Sequence, residues 1–401
     1  MRLLFVHEVN WRKKVVFEIH DFPELLSLRG HEVVFIDFPE GESRRGFRRF
    51  LDLKTEVYLD QSRAHAGSSV EVRTPGRVFP PPLDRLFASV TQVPAIWRAL
   101  RDEKFDAVVL YGVPTNGWQT VRIARHFGVP VVFRAIDVSH LLRRSIFKPL
   151  IKLAERSILR KADWVSTHNV ALRDYCISHG ADPDRISVDY PGVDFERFKP
   201  GEKDPELLSR YGLTEEHRIV QFLGTFYRFS GLDWFIEAFA DHLRANPGMK
   251  LMLVGGGESE ASLRALVERL GLTQSVVFTG FVDYDDVPDH LRLADVGINP
   301  FEPSTATHCA LAAKVLQYVA CGVPVVCTSL RGTMGLLGEG EGVLYRDPGR
   351  RFVDRITALI DDRVWGTALG AAGREALREN CDWERGADRL EELIETARAL
   401  R

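Results

Sequence analysis

Cysteine is scarce in this chain, and spacing never pairs it. The five cysteines in 401 residues (Cys176, Cys309, Cys321, Cys327 and Cys381) are odd in number and form no Cys-x-x-Cys. That argues against a disulfide framework or a thiolate zinc site, and for free thiols in a reducing cytoplasm. Long apolar runs are also missing: none approaches the roughly 18 residues that a membrane-spanning helix needs. Leu3-Leu4-Phe5-Val6 gives way at once to His7 and Glu8, too short for a signal peptide, and reads as a buried first strand. Several enzyme signatures are absent too. No Gly-x-Gly-x-x-Gly follows the first strand, which argues against a nicotinamide or flavin dinucleotide site of the usual kind. There is no Gly-x-x-x-x-Gly-Lys-Ser/Thr loop and no Gly-x-Ser-x-Gly elbow. His7-Glu8 and His31-Glu32 lack the second histidine of a zinc protease helix.

What is present is the composition of a globular protein, 45% hydrophobic and 27% charged. At this length two domains are expected, here 1–200 and 201–381, with 382–401 as a terminal helix. A net charge of −3 conceals an asymmetry. Residues 1–200 hold 31 Lys and Arg against 25 Asp and Glu, and the remainder 22 against 31. A basic first half beside an acidic second half suggests different partners for each.

Apolar runs alternate with helical patterns along the first half. Strands are expected at 2–7, 33–38, 70–73, 107–111 and 129–134, and helices at 18–29 and 120–126. Such alternation predicts an α/β fold with a parallel sheet covered on both faces. The irregular 41–82 stretch carries Arg44, Arg45, Arg48 and Arg49, then Pro80-Pro81-Pro82. The apolar run from Val131 ends at Asp137, where ligands of open α/β sheets gather. Next, Lys148, Lys152, Arg156 and Arg160 recur every four residues as a basic stripe. It suits either an anionic membrane surface or a solvated face, and Pro149 interrupts any long helix there. Lys199–Asp204 reads as a polar interdomain linker.

In the second half, Ile219–Leu223 is a strand ending at Gly224, followed by Thr225, Arg228 and Ser230. Leu251–Val254 runs into Gly255-Gly256-Gly257, and Val276–Gly280 into Phe281. Asp283-x-Asp285 resembles a metal pair but precedes a helix, so capping is the expectation. The stretch from Val296 to Val326 is the most informative. A strand ends at Pro300, a polar loop follows, and a helix of about three turns is expected, capped by Thr305 or Thr307 and stopped by Gly322. Its N–H groups near Thr307, His308, Cys309 and Ala310 can hold an anion. Lys314 and Gln317 share a helix face, with Ala310 one turn earlier. A diphosphate with its ribose fits that set, and so does an ordinary amphipathic helix.

Ala313-Lys314-Val315-Leu316-Gln317-Tyr318-Val319-Ala320-Cys321-Gly322-Val323-Pro324-Val325-Val326 resembles the donor signature of the family-4 retaining glycosyltransferases of the GT-B fold. Lys161-Ala162-Asp163 and Tyr190-Pro191-Gly192-Val193-Asp194 extend the resemblance over most of the chain. It implies two Rossmann-like domains facing across a cleft. The first would take the acceptor and the second a nucleotide-diphosphate sugar, with no cofactor and no metal. It implies that Arg228 and Lys314 neutralise the leaving diphosphate and that Asp137 faces the sugar or acceptor. Gly224, Thr225, Ser230, Gly255, Phe281, Thr307, His308, Cys309, Ala310 and Gln317 would line the donor.

The sequence departs from the family at four places. Ile136 replaces a His that contacts the sugar, and His140 either substitutes for it or serves as a cap. Thr225 and Ser230 replace two cations, and Gln317 replaces a ribose-binding Glu. These departures leave open a degenerate relative that binds without transfer, or a GT-B epimerase or hydrolase. The expected partners are a nucleotide sugar, a small-molecule, glycan or lipid-linked acceptor, and peripherally an anionic membrane, with no nucleic acid.

Overall fold

The computed structural model describes residues 1–40, 51–80, 83–142 and 147–401. The basic cluster from Arg44 to Arg49, Pro81, Pro82, Arg143 and Arg144 lie outside them. The chain divides into two compact units, Met1–Pro191 with Trp383–Arg401, and Gly192–Asp382.

The first unit is built on eight strands: β1 (Arg2–Val6), β2 (Glu32–Ile36), β3 (Glu56–Gln61), β4 (Val70–Thr74), β5 (Ala107–Leu110), β6 (Val131–Ala135), β7 (Trp164–Thr167) and β8 (Ile186–Val188). Their order is β3-β4-β2-β1-β5-β6-β7-β8. All pairs are parallel except the edge, where β3 runs antiparallel to β4. β5 and β6 are buried along their whole length, β5 wholly apolar and β6 apolar but for Arg134, as in parallel sheets covered on both faces. The terminal helix Trp383–Ala399 contributes Leu390, Ile394 and Ala397 to the core that holds Leu3, Phe5 and Val109. Arg29 fixes that helix through Glu384, Asp388 and Glu391.

The second unit holds β9 (Arg218–Leu223), β10 (Met249–Val254), β11 (Val276–Gly280), β12 (Val296–Asn299), β13 (Val325–Cys327) and β14 (Val343–Tyr345). The order is β11-β10-β9-β12-β13-β14, and every pair is parallel. From β9 the chain winds outward one way through β10 and β11, then returns to β12 and winds the other way. The order therefore reverses between β9 and β12, and the crevice beyond their carboxyl ends is where such sheets bind ligands.

Three local expectations give way. The Lys199–Asp204 run is not a free linker. Lys203 pairs with Asp295 at 2.7 Å, Arg292 donates to the Lys199 carbonyl, and Asp204 caps the next helix. Charges that looked like solvated linker thus hold the run to the second unit. Asp283 occupies a cap position but makes no side-chain capping bond, and Asp285 instead pairs with Arg197 at 3.0 Å. Pro149 falls in the first turn of the helix Lys148–Leu159, where its missing N–H does no harm, so it starts this helix.

Candidate active site

Glycines close the strand ends of the second unit. After β9, Gly224 takes φ +127°, and a Cβ there would lie 3.3 Å from the Lys314 ammonium. After β10, Gly255 also has φ +127°, and its Cβ would fall 2.1 Å from the Gly224 carbonyl oxygen. Only glycine lets these two backbones approach so closely. Phe281, after β11, is 72% exposed and lies beside Gly256.

The expected three-turn helix is in fact two. Ser304, rather than Thr305 or Thr307, caps the helix Thr305–Cys309. Its hydroxyl accepts from the Thr307 N–H, and the Thr307 hydroxyl accepts from the Ser304 N–H in return. The chain then extends at Ala310, and a second helix runs from Ala313 to Ala320. Ala310 is therefore not on the Lys314–Gln317 face. The N–H groups of Thr307, His308 and Ala310 are already bonded to Ser304 and Ala306. The second helix has no side-chain cap, and the leading N–H groups of a helix lack intrahelical partners. At its start the Val315 N–H is bonded back to the Ala312 carbonyl, so the Ala313 and Lys314 N–H groups are the ones without a backbone partner among the described residues. His308 accepts from the Arg331 N–H through Nδ1, and Cys309 is buried at the end of the first helix.

Lys314 is partly buried. Its ammonium lies 3.7 Å from the ring centre of Phe222 and 4.5 Å from that of Phe301, with no hydrogen bond or ion pair among the described residues. Burial pushes this ammonium well below the ordinary lysine range, with the Cys327 thiol opposing. Gln317 is partly exposed on the same helix face. The next residue, Tyr318, is wholly buried and donates to Gln221, which in turn donates to the His290 carbonyl. Tyr318 anchors the helix to β9.

Arg228 is exposed on a single turn, Arg228–Ser230. Its N–H donates to Glu258. Ser230 is fully buried, and its hydroxyl accepts from the Tyr227 N–H and donates to the Thr225 carbonyl. The Ser230 hydroxyl thus ties the loop that carries Arg228, and half-buried Thr225 forms the start of that loop.

In the first unit, Asp137 stands just beyond β6, partly exposed, within reach of the Ser139 hydroxyl. His140 is buried, with Nδ1 3.1 Å from Glu155, which also accepts from Tyr175 at 2.8 Å. Burial, and then Lys152, Lys148 and Arg156, push His140 below its ordinary value. Sequence reasoning missed a denser cluster at the strand ends of this unit. Glu18 accepts two bonds from Arg134, at 2.8 and 3.0 Å, and one contact from His168 at 2.6 Å. Burial pushes the Glu18 carboxyl up, but Arg134 and His168 more than reverse that and hold it far below the usual range. The signal was available: Arg134 is a charge inside an otherwise apolar strand, which demands a buried partner. Among the described residues, no three His, Cys, Asp or Glu side chains gather as a metal site, and no helix is long and apolar enough to cross a membrane.

The family described as "Glycosyl transferase 4-like domain" matches residues 19–192, and "Glycosyl transferases group 1" matches 217–362. One relative, a D-inositol 3-phosphate glycosyltransferase 1 from Catenulispora acidiphila, is 30% identical over 67% of both chains. The chain belongs to the group 1 glycosyltransferases. A D-inositol 3-phosphate glycosyltransferase from Acidothermus cellulolyticus is 27% identical over 80% of this chain and 75% of its own. A GDP-mannose-dependent alpha-(1-6)-phosphatidylinositol monomannoside mannosyltransferase from Mycobacterium tuberculosis is 34% identical over 52% of this chain, but just 56% of its own length. Solved structures share the GT-B fold of this glycosyltransferase. Sucrose-phosphate synthase from Thermosynechococcus elongatus superposes with TM-score 0.77 over all of both chains, at 18% identity. Anabaena Alr3699/HepE in complex with UDP-glucose gives 0.73 at 18% identity, over 99% of this chain and all of its own.

Proposed function

We propose that this glycosyltransferase moves a sugar from a nucleotide-diphosphate donor to a lipid-linked or polyol acceptor, with retention of configuration and without a divalent metal. One observation carries the reading. The Lys314 ammonium has no anionic partner among the described residues and stands where the sheet order reverses, beside Gly224 and an uncapped helix start. Burying a cation without a counter-charge is unfavourable unless an anion completes the site. A diphosphate supplies that anion.

In the reaction the bond from the sugar C1 to the diphosphate oxygen breaks, and the acceptor oxygen bonds to C1 on the same face. The acceptor proton passes to the departing diphosphate. Lys314, Arg228 and the start of the helix Ala313–Ala320 neutralise the charge that grows on that leaving group. Gln317 bonds the ribose through its neutral amide. Asp137, in the first unit, serves the sugar or the acceptor.

The helix Lys148–Leu159 supports a membrane-held acceptor. It turns Ile151, Ile158 and Leu159 into the core, yet leaves Leu150 67% and Leu153 68% exposed among Lys148, Lys152 and Arg156. Exposed leucines among cations suit an anionic bilayer surface.

The test is a thermal-shift panel of UDP, GDP, ADP, CDP and dTDP, since a ligand of the native state raises its apparent stability. UDP and GDP come first, because UDP-glucose occupies one structural relative and GDP-mannose serves one sequence relative. Slow donor hydrolysis without acceptor then marks an enzyme. Nucleotide binding with no turnover favours a degenerate binding protein, and no binding at all refutes the proposal.

A further inference from the structure

Phe301 touches both branches of the donor site. It lies two residues beyond β12, is 8% exposed, and presents its ring to the Lys314 ammonium at 4.5 Å. The same ring meets Phe229 edge to face, with centroids 5.4 Å apart and planes at 89°. Phe229 in turn stacks on Tyr227 at 5.1 Å and 16°, and these two rings flank Arg228 in sequence. The backbone follows the same path. The Glu302 N–H donates to the Phe229 carbonyl at 3.0 Å. Trp234 donates to the Pro300 carbonyl, and a Cβ on Gly231 would lie 2.0 Å from that same oxygen. Pro300–Glu302 is thus bonded to the Arg228 turn on one side and carries the Lys314 cation on the other.

We propose that Phe301 is a positioning residue for the transfer reaction, setting the charged end of Lys314 by its ring face and the Arg228 turn through Phe229. The proposal rests on the donor reading above. An aromatic face attracts a cation through its quadrupole and does so most strongly where water is excluded. The rings of Phe222 and Phe301 therefore hold the ammonium in place without neutralising it, leaving its charge for an anion. A carboxylate at position 301 would hold the lysine equally well but cancel the charge the diphosphate needs. Among the described residues, the titratable group that acts on this ammonium is the Cys327 thiol of β13, which opposes the effect of burial. β9 presents Phe222 and the β12 end presents Phe301.

The experiment follows Lys314 directly, with lysines carrying carbon-13 at Cε and the Lys314 signal assigned by its loss in Lys314→Arg. Phe301→Leu, and 3,4,5-trifluorophenylalanine at the same position, remove the negative ring face; the second keeps the packing if the first does not fold. Each lowers the Lys314 titration midpoint by about half to one pH unit. Phe301→Tyr restores it. The alkaline limb of kcat/KM shifts by the same amount. Phe229→Leu lowers kcat, in the direction of Arg228→Ala, while leaving the Lys314 midpoint where it was. An unmoved midpoint in the Phe301 variants overturns the proposal even where the wild-type protein turns over donor. A moved midpoint in a protein that binds no nucleotide retains the cation contact but overturns its part in transfer.

Discussion

Replacing Lys314 with methionine should move activity and stability in opposite directions. A preorganised cation lost from a growing negative charge typically costs about 2.7–4 kcal/mol, on the order of 10²–10³ in kcat. The stability side follows from the surroundings. Among the described residues the ammonium makes no hydrogen bond or ion pair, and it lies against the rings of Phe222 and Phe301. Methionine loses cation–π attraction worth about 0.5–2 kcal/mol but gains sulfur–aromatic contact of about 0.3–1.5 kcal/mol, so those effects nearly cancel. What remains is relief from burying a charge. The folded lysine titrates below its unfolded value, so the penalty is absent at very alkaline pH. It grows as pH falls below the unfolded pKa, and is constant below the folded one. At pH 7, Lys314→Met should therefore melt no lower than wild type. For a unit the size of residues 192–382, each 1 kcal/mol gained raises the midpoint by about 2–4 °C. The assays are donor turnover at saturation and differential scanning calorimetry at pH 7. Unchanged kcat removes Lys314 from the chemistry; a midpoint several degrees lower means the ammonium has a stabilising partner, and the reasoning fails.

Arg228→Ala should lower kcat by tenfold or more yet leave the melting midpoint within about a degree, since its side chain is exposed. Gln317→Ala should raise donor KM with little change in kcat, and the reverse pattern would take the ribose role from it. Arg134→Met strands the buried Glu18 carboxylate and should destabilise the first unit by about 3–5 kcal/mol; Arg134→Met with Glu18→Leu should recover most of that by chemical denaturation. His20 is fully buried and pushed down to about 4 by burial, so its contribution is intact above pH 6.5. Stability should fall by about 3 kcal/mol as pH drops from 6.5 to 4, and His20→Gln should flatten that slope. Activity in EDTA should equal activity with magnesium; strict dependence on a divalent ion would refute metal-independent transfer.

The sequence by itself determined the two parallel sheets, because buried strands such as Leu3–Val6, Val131–Phe133 and Leu251–Val254 are apolar without interruption. It also marked the glycines at 224 and 255, whose backbone conformations no other residue adopts easily, and placed Lys314 and Gln317 on one helix face three residues apart. Tertiary structure decided the rest. Thr305 and Thr307 read as the caps, yet Ser304 takes that place, and the extended backbone at Ala310 and Ala312 is what splits one expected helix into two. Lys203 and Asp204 read as linker because their polarity showed, while Asp295, the partner of Lys203, lies far along the chain. Arg134 and Glu18 are 116 residues apart, so neither could predict the other. Phe222, Phe301 and Phe229 carried no local mark of function, since an aromatic residue at a strand end usually means core. Only folding, which closes long loops to bring distant residues within a few ångströms, sets the Phe222 and Phe301 rings against a cation and Phe229 against Phe301.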